Sequence, residues 1–151
     1  MGHFVIREGD KEFIPTEWGR SKGIIGPENV GAKYLKVHIT EYAPGTEHKL
    51  HRHPGHGEVI FVLDGEGISR TKDGDKPINA GAFAFIPAGT DHATINVLKD
   101  KPLKAIIFAA PHHFSRCAPI RLYMSTDEGG NTLRWLSSYL RDSHGLNRAS
   151  T

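Results

Sequence analysis

The feature that most constrains this chain is its cadence: short apolar or alternating runs, each closed by a Gly, Pro or Asp turn signal, recur about every 8 to 12 residues from Tyr34 to Phe108. Segment YLKVHITEY (34–42) alternates strictly, with Leu35, Val37 and Ile39 on one face and Lys36, His38 and Thr40 on the other, and Pro44-Gly45 ends it. Residues 58–63 are apolar on both faces, which predicts a strand covered on both sides. Gly67–Thr71 and Lys76–Asn79 flank Lys72-Asp73-Gly74-Asp75, a hairpin signal. Gly81–Ile86, His92–Val97 and Leu103–Phe108 complete a series of seven or eight strands. An antiparallel sandwich or barrel follows.

The ends of the chain read differently. Residues 1–33 hold short apolar pieces broken by Gly9-Asp10, Pro15, Gly19, Gly23 and Gly26-Pro27, as expected of edge strands and loops packed on a barrel core at 34–110. In an extension at 111–145, Leu133, Leu136 and Leu140 fall at helical spacing, with Asn131 or Thr132 as N-cap and Gly145 as stop, predicting a short α-helix over about 132–142. Residues 146–151 read as a mobile tail. At 151 residues the whole suits one domain.

Charge and cysteine content narrow the function classes. Nineteen Lys and Arg against 17 Asp and Glu leave a net charge of +2 and no basic run, so nucleic acid is not an expected partner. The segment MGHFVIREGDKEF is no signal peptide, residue 6 is Ile rather than the Ser or Thr of a myristoylation site, and no apolar stretch is long enough to cross a membrane. The single Cys117 forms no internal disulfide and reads as buried rather than reactive. A cytoplasmic location is expected.

Histidine is the anomaly: ten are present, six of them between His38 and His92. The stretch GTEHKLHRHPGHGEVIFVLDG (45–65) resembles one wall of a metal pocket. His51 and His53, two apart on a strand, project from one face and can share an ion. Glu58 follows after a Pro54-Gly55-His56-Gly57 turn and can re-enter on the neighbouring strand, and His92, just after PAGTD, offers a fourth donor.

These residues make the sequence resemble a cupin. Gly45, His51, His53, Glu58 and Gly65 stand at the spacing of the first cupin motif, and Gly81, Pro87, Gly89, His92 and Asn96 at that of the second, with the 15 residues of 66–80 between them. With each residue type near 5% of composition, ten chance agreements have a probability on the order of 10⁻¹³. The resemblance is strong over 34–108 and loose in the flanks. It implies an all-β double-stranded β-helix, the jelly-roll cupin barrel, with a metal held near one mouth by His51, His53, Glu58 and His92. Such a donor set suits six-coordinate Fe2+ or Mn2+ first, and Ni2+ or Co2+; tetrahedral Zn2+ would be filled by the four donors. A metal-dependent enzyme acting on an oxygen-rich small molecule is expected, with dioxygenase chemistry ahead of isomerase or lyase chemistry. A non-catalytic module binding a sugar or effector is the alternative.

Other residues receive lesser roles. Glu47, His48 and Lys49 are candidate substrate contacts or acid/base groups at the barrel mouth, and His56 is a rim candidate out of register as a ligand. Asn96 shares the strand face of His92 and is expected to support the pocket. His38 is expected to face outward, Tyr34 and Tyr42 to be packing or surface aromatics, and His112-His113 to reach the mouth only if a covering loop brings them there. The doubly apolar strand at 58–63 calls for a cover, for which a second subunit is expected, giving a homodimer.

Overall fold

The structure is a computed structural model that describes residues 2–111, to which all structural statements refer. The helix expected at 132–142, the tail, His112, His113 and Cys117 lie outside the described residues. Ten strands form two antiparallel sheets: β1 (Ile14–Thr16), β2 (Gly19–Ile25), β3 (Lys36–Tyr42), β4 (Glu47–His51), β5 (His56–Asp64), β6 (Glu66–Thr71), β7 (Gly74–Asn79), β8 (Phe83–Ile86), β9 (His92–Asn96) and β10 (Leu103–Pro111). One sheet has the order β1-β2-β3-β10-β5-β8, the other β4-β9-β6-β7. Face to face they make the jelly-roll barrel. The number exceeds the seven or eight strands expected because β1, β2 and β4 carry too little apolar alternation to be counted from sequence.

Proline marks the edges. Pro15 lies in β1 and Pro77 in β7, each the terminal strand of its sheet, where a missing N–H costs no ladder bond. Gly45, Gly65 and Gly89 take φ of 67°, 94° and 77°, the positive values their turn positions require. Between β6 and β7 the chain reverses over Lys72-Asp73 alone, with Thr71 paired to Gly74, a tighter hairpin than the four-residue loop expected.

The interior is filled at one end by Ile60, Val62, Ile78, Ile86, Leu103 and Ala105, all nearly inaccessible, together with Tyr42. Beneath them Asn96, 1% exposed, donates from Nδ2 to the carbonyls of Tyr42 at 3.0 Å, Ala43 at 3.1 Å and Lys101 at 3.0 Å, while its Oδ1 accepts from Leu98 N at 3.0 Å. It bolts the β3–β4 turn to the β9–β10 turn. Its support therefore goes to the closed end of the barrel, not to the metal pocket as expected.

The register of β3 reverses one expectation. Thr40 pairs with Ala105 of β10, and His38 with Ile107, while Ala105 and Ile107 pair in turn with the interior residues Val62 and Ile60 of β5. The Lys36-His38-Thr40 face thus looks into the barrel, so His38 is an inward residue. Val37 and Ile39 lie on the outer face yet are only 9% and 8% exposed. Lys22, the partner of Ile39 on β2, shares that face, and its ammonium donates to the Glu8 carbonyl at 2.9 Å and sits 4.1 Å from the Phe13 ring centroid. The N-terminal segment, including the 3₁₀ turn Glu8–Asp10, is what shields these apolar residues. Alternation gives two faces but not which one is inward, and a distant segment decided it.

Strand β5 is covered on one side only among the described residues. Ile60 and Val62 are buried inside, but Val59 and Phe61 point out beside Phe85 and Phe83 of β8, which are 69% and 70% exposed. The Phe61 and Phe83 rings stack at 4.3 Å. No helix among the described residues is long and apolar enough to cross a membrane.

Candidate metal centre

The site forms where the ends of β4, β5 and β9 meet. His51 closes β4 and lies opposite His92, which opens β9. His53 follows two residues past His51, its backbone fixed by a bond from Gly89 N to His53 O at 2.9 Å. Glu58 rises from β5 in the facing sheet. One ring nitrogen from each of His51, His53 and His92 can be chosen so that all three lie within 4.8 Å of one another. Between them stands Glu58, with Oε2 3.5 Å from His53 Nε2 and Oε1 3.6 Å from His92 Nε2. All four residues predicted from sequence are brought together.

Backbone carbonyls set the ring orientations. His51 Nδ1 lies 2.7 Å from the Lys49 carbonyl and His92 Nδ1 lies 2.9 Å from that of Thr90, so each Nδ1–H donates and each Nε2 is left with a lone pair. His92 is 1% exposed and its Nε2 has no hydrogen-bond partner among the described residues. A buried unpartnered nitrogen costs about 1–3 kcal/mol, so a site that keeps one is built for something else to meet it. Convergent imidazole nitrogens beside a carboxylate fit a divalent metal ion, which prefers such mixed nitrogen and oxygen donors.

The ionisation of these groups follows from their crowding. Burial pulls the His53 imidazole below its ordinary value against the pull of Glu58, and neighbouring imidazoles lower it further. Burial also works against a charged His92, but Glu58 and the Thr90 carbonyl outweigh it and raise the group overall. Burial raises Glu58, yet the imidazole of His92, 3.6 Å away, and those of His53 and His51 bring it below the usual carboxylate range.

The fourth histidine of the cluster, His48, arrives through a bulge. On β9, Thr94 and His92 are two residues apart; opposite them on β4 are His48 and His51, three apart, with the register shifted between them. The extra residue puts both His48 and His51 on the inner face, where an unbulged strand would send them to opposite faces. Their rings lie 4.0 Å apart, and His48 packs on Trp18 at 4.3 Å, which in turn meets Tyr42 at 5.1 Å. Burial, then the neighbouring imidazoles led by His51, pushes His48 down to about 4. Of Glu47, His48 and Lys49, only His48 reaches the site; Glu47 and Lys49 are exposed on the outside, Glu47 3.7 Å from Arg70. His56 opens β5, stacks on His53 at 4.6 Å and joins the lining of the adjoining cavity. Tyr34 is exposed and Tyr42 buried.

A cavity of about 280 Å³ continues from Glu58, His48 and His53 toward β2 and β3. Trp18, Ser21, His38 and Thr40 line it and were not predicted from sequence. Inward alternation of β3 was the available signal, and its direction was undetermined.

A metal-fitting donor set at one mouth of a small jelly-roll barrel defines a cupin, and the chain belongs to the cupin superfamily: the cupin domain family matches residues 38–108. It is 42% identical over 66 residues to the beta-alanine degradation protein BauB of Pseudomonas aeruginosa, spanning 40% of this chain and 68% of that one. It is 38% identical over 53 residues to an oxalate-binding protein of Thermotoga maritima, 35% of this chain, and spans only 44% of that protein's length. Among solved structures, the fold is similar to that of a predicted oxalate decarboxylase from Thermotoga maritima, with TM-score 0.58 and 24% identity, covering 72% of this chain and 99% of the other. It is also similar to the polyketide cyclase RemF of Streptomyces resistomycificus, with TM-score 0.64 and 17% identity, covering 72% and 80%. At these identities the structural likeness establishes the fold alone.

Proposed function

We propose that this cupin is a metal-dependent enzyme in which His51, His53, Glu58 and His92 hold one divalent transition ion, Fe2+ or Mn2+ before Ni2+, Co2+ or Zn2+. Its substrate is a small oxygen-rich molecule, and its chemistry is of dioxygenase type. The observation that carries the reading is the buried, unpartnered His92 Nε2, pointed at the same space as the nitrogens of His51 and His53 and the carboxylate of Glu58. Chemistry supplied by such an ion when bound is Lewis-acid polarisation of a chelated oxygen and, for iron, the activation of O₂.

The chain's own residues prepare the site. The carbonyls of Lys49 and Thr90 hold the rings of His51 and His92 with Nε2 inward. Glu58 supplies the one negative charge among the four donors, leaving a net charge near +1 that favours an anionic ligand. Trp18 and Tyr42 back His48 with apolar surface and limit water on that side.

Similarity to an oxalate-binding protein favours a second reading, in which the same ion chelates a small carboxylic acid in non-oxidative lyase or isomerase chemistry, or simply binds it. Anaerobic purification followed by metal analysis tests the centre. We expect near-stoichiometric metal, lost in both His51→Ala and His92→Ala; full occupancy in either variant would sink the assignment. Oxygen uptake on adding an acid substrate separates the dioxygenase reading from the second one.

The same reading places the protein in the cytoplasm as a homodimer, with the Phe61, Phe83 and Phe85 face of one copy covered by another. An apolar patch of this kind is more typical of an interface than of free surface.

A further inference from the structure

The cavity beside the metal centre is longer than the centre needs. A small diacid such as oxalate could engage the ion through one oxygen of each carboxylate, yet about 280 Å³ of space runs on from Glu58 across the inner face of β10 to β3. The register explains the opening. Ala109 of β10 lies between Glu58 of β5 and Lys36 of β3, and Ile107 lies one inward step further, level with His38. A methyl group where most strand residues would fill the gap leaves a channel floored by Ala109 and Ile107. At its far side stand Lys36 and His38, with the Ser21 and Thr40 hydroxyls bonded to each other at 2.9 Å behind them.

Charge in this channel is one-sided. Among the described residues Glu58 is the only carboxylate on its wall, and it already faces the imidazoles of the centre, whereas Lys36 at the opposite rim is about half exposed. Among the described residues the ammonium of Lys36 has only a loose partner, Glu28 at 3.6 Å, whose side chain is 74% exposed, so it can turn inward at little cost.

We propose that the site takes a small dicarboxylate longer than oxalate, with one carboxylate at the metal centre, its methylene body over Ala109 and Ile107, and its second carboxylate received by Lys36 and His38. This rests on the metal-centre reading above and adds the substrate class. Two strand spacings separate Glu58 from Lys36, about 9.6 Å between backbones before their side chains converge, which suits a chain of about four to six carbons. A cavity just under the usual range of about 300–1,000 Å³ admits a molecule of that size and little more.

Calorimetric titration of the full-length, Mn2+-loaded protein with oxalate, succinate, glutarate and adipate tests this, with metal content measured on each preparation. We expect glutarate or adipate to bind at least ten-fold tighter than oxalate. Lys36→Met should cost the longer acids about ten-fold while leaving oxalate affinity and metal content within two-fold, and His38→Leu should act in the same direction. Lys36 is exposed, so its variant should fold, and a thermal melt verifies both.

Oxalate binding as tightly as the longer acids, or Lys36→Met weakening all acids alike, would overturn the subsite while the metal centre stands. So would a metal-loaded protein that binds none of the acids. Wild-type protein that takes up no metal would overturn the centre itself, and the proposal with it.

Discussion

Arg52 and Asp91 join the two halves of the site through a two-point ion pair, Nε to Oδ1 at 2.7 Å and Nη2 to Oδ2 at 2.9 Å. Arg52 stands between His51 and His53, and Asp91 directly precedes His92, so this one clamp fixes the spacing of three imidazoles. Both side chains are substantially exposed, and pairs of this kind contribute only about 0.2–1 kcal/mol to stability. Their value lies in geometry. Arg52→Met or Asp91→Asn should weaken Mn2+ affinity roughly ten-fold, the lower end of what outer-shell changes cost, with little shift in melting temperature. Titration of the apo-protein with Mn2+ measures it.

Metal should also act as a folding ligand. At a free ion concentration of 100 times Kd the folded state gains about 2.7 kcal/mol. Chelation should lower the thermal midpoint of wild type and leave His92→Ala unchanged, a comparison that calorimetry makes directly.

Asn96 should prove structural rather than functional. Its amide serves three carbonyls in the closed end of the barrel, so Asn96→Ala strands buried acceptors and should cost about 2–4 kcal/mol in urea unfolding. Metal stoichiometry of the folded variant should be unchanged.

The N-terminal cover carries an acid-sensitive link. A hydrogen bond from the Lys104 ammonium, at 2.8 Å, holds the Glu8 carboxyl below its ordinary value. A depressed carboxylate stabilises the fold fully above its unfolded pKa, about 4.3, and loses that contribution as pH falls through the lower folded value. Wild type should therefore exceed Glu8→Gln in stability by a constant margin from pH 8 to 5, and the margin should shrink below about pH 4. Urea midpoints across that range would show it.

If a second copy covers the β5–β8 face, sedimentation at micromolar concentration should give a dimer, and the double variant Phe83→Ser, Phe85→Ser should give a monomer with its metal intact. A wild-type monomer would count against this interface.

The strands rich in alternating or β-branched residues were legible because turn chemistry and period-two patterning are local properties. The four candidate donors His51, His53, Glu58 and His92 could be named because the motif fixes them by spacing; in the structure the three imidazoles converge and Glu58 lies beside those of His53 and His92. His48 was not legible as a member of the cluster. One extra residue in β4 carries no side-chain signature, yet it decides which face His48 occupies.

By itself, the sequence determined where most of the barrel strands lie and which four side chains are candidate metal donors, since each depends on neighbours along the chain. Only the tertiary structure decided which way β3 faces. Period-two alternation is symmetric about the sheet, and the apolar pair Val37 and Ile39 could have filled the barrel. Instead the N-terminal segment shields them from outside, through Lys22, Glu8 and Phe13, and the polar face of Lys36, His38 and Thr40 is left to line the cavity beside Glu58.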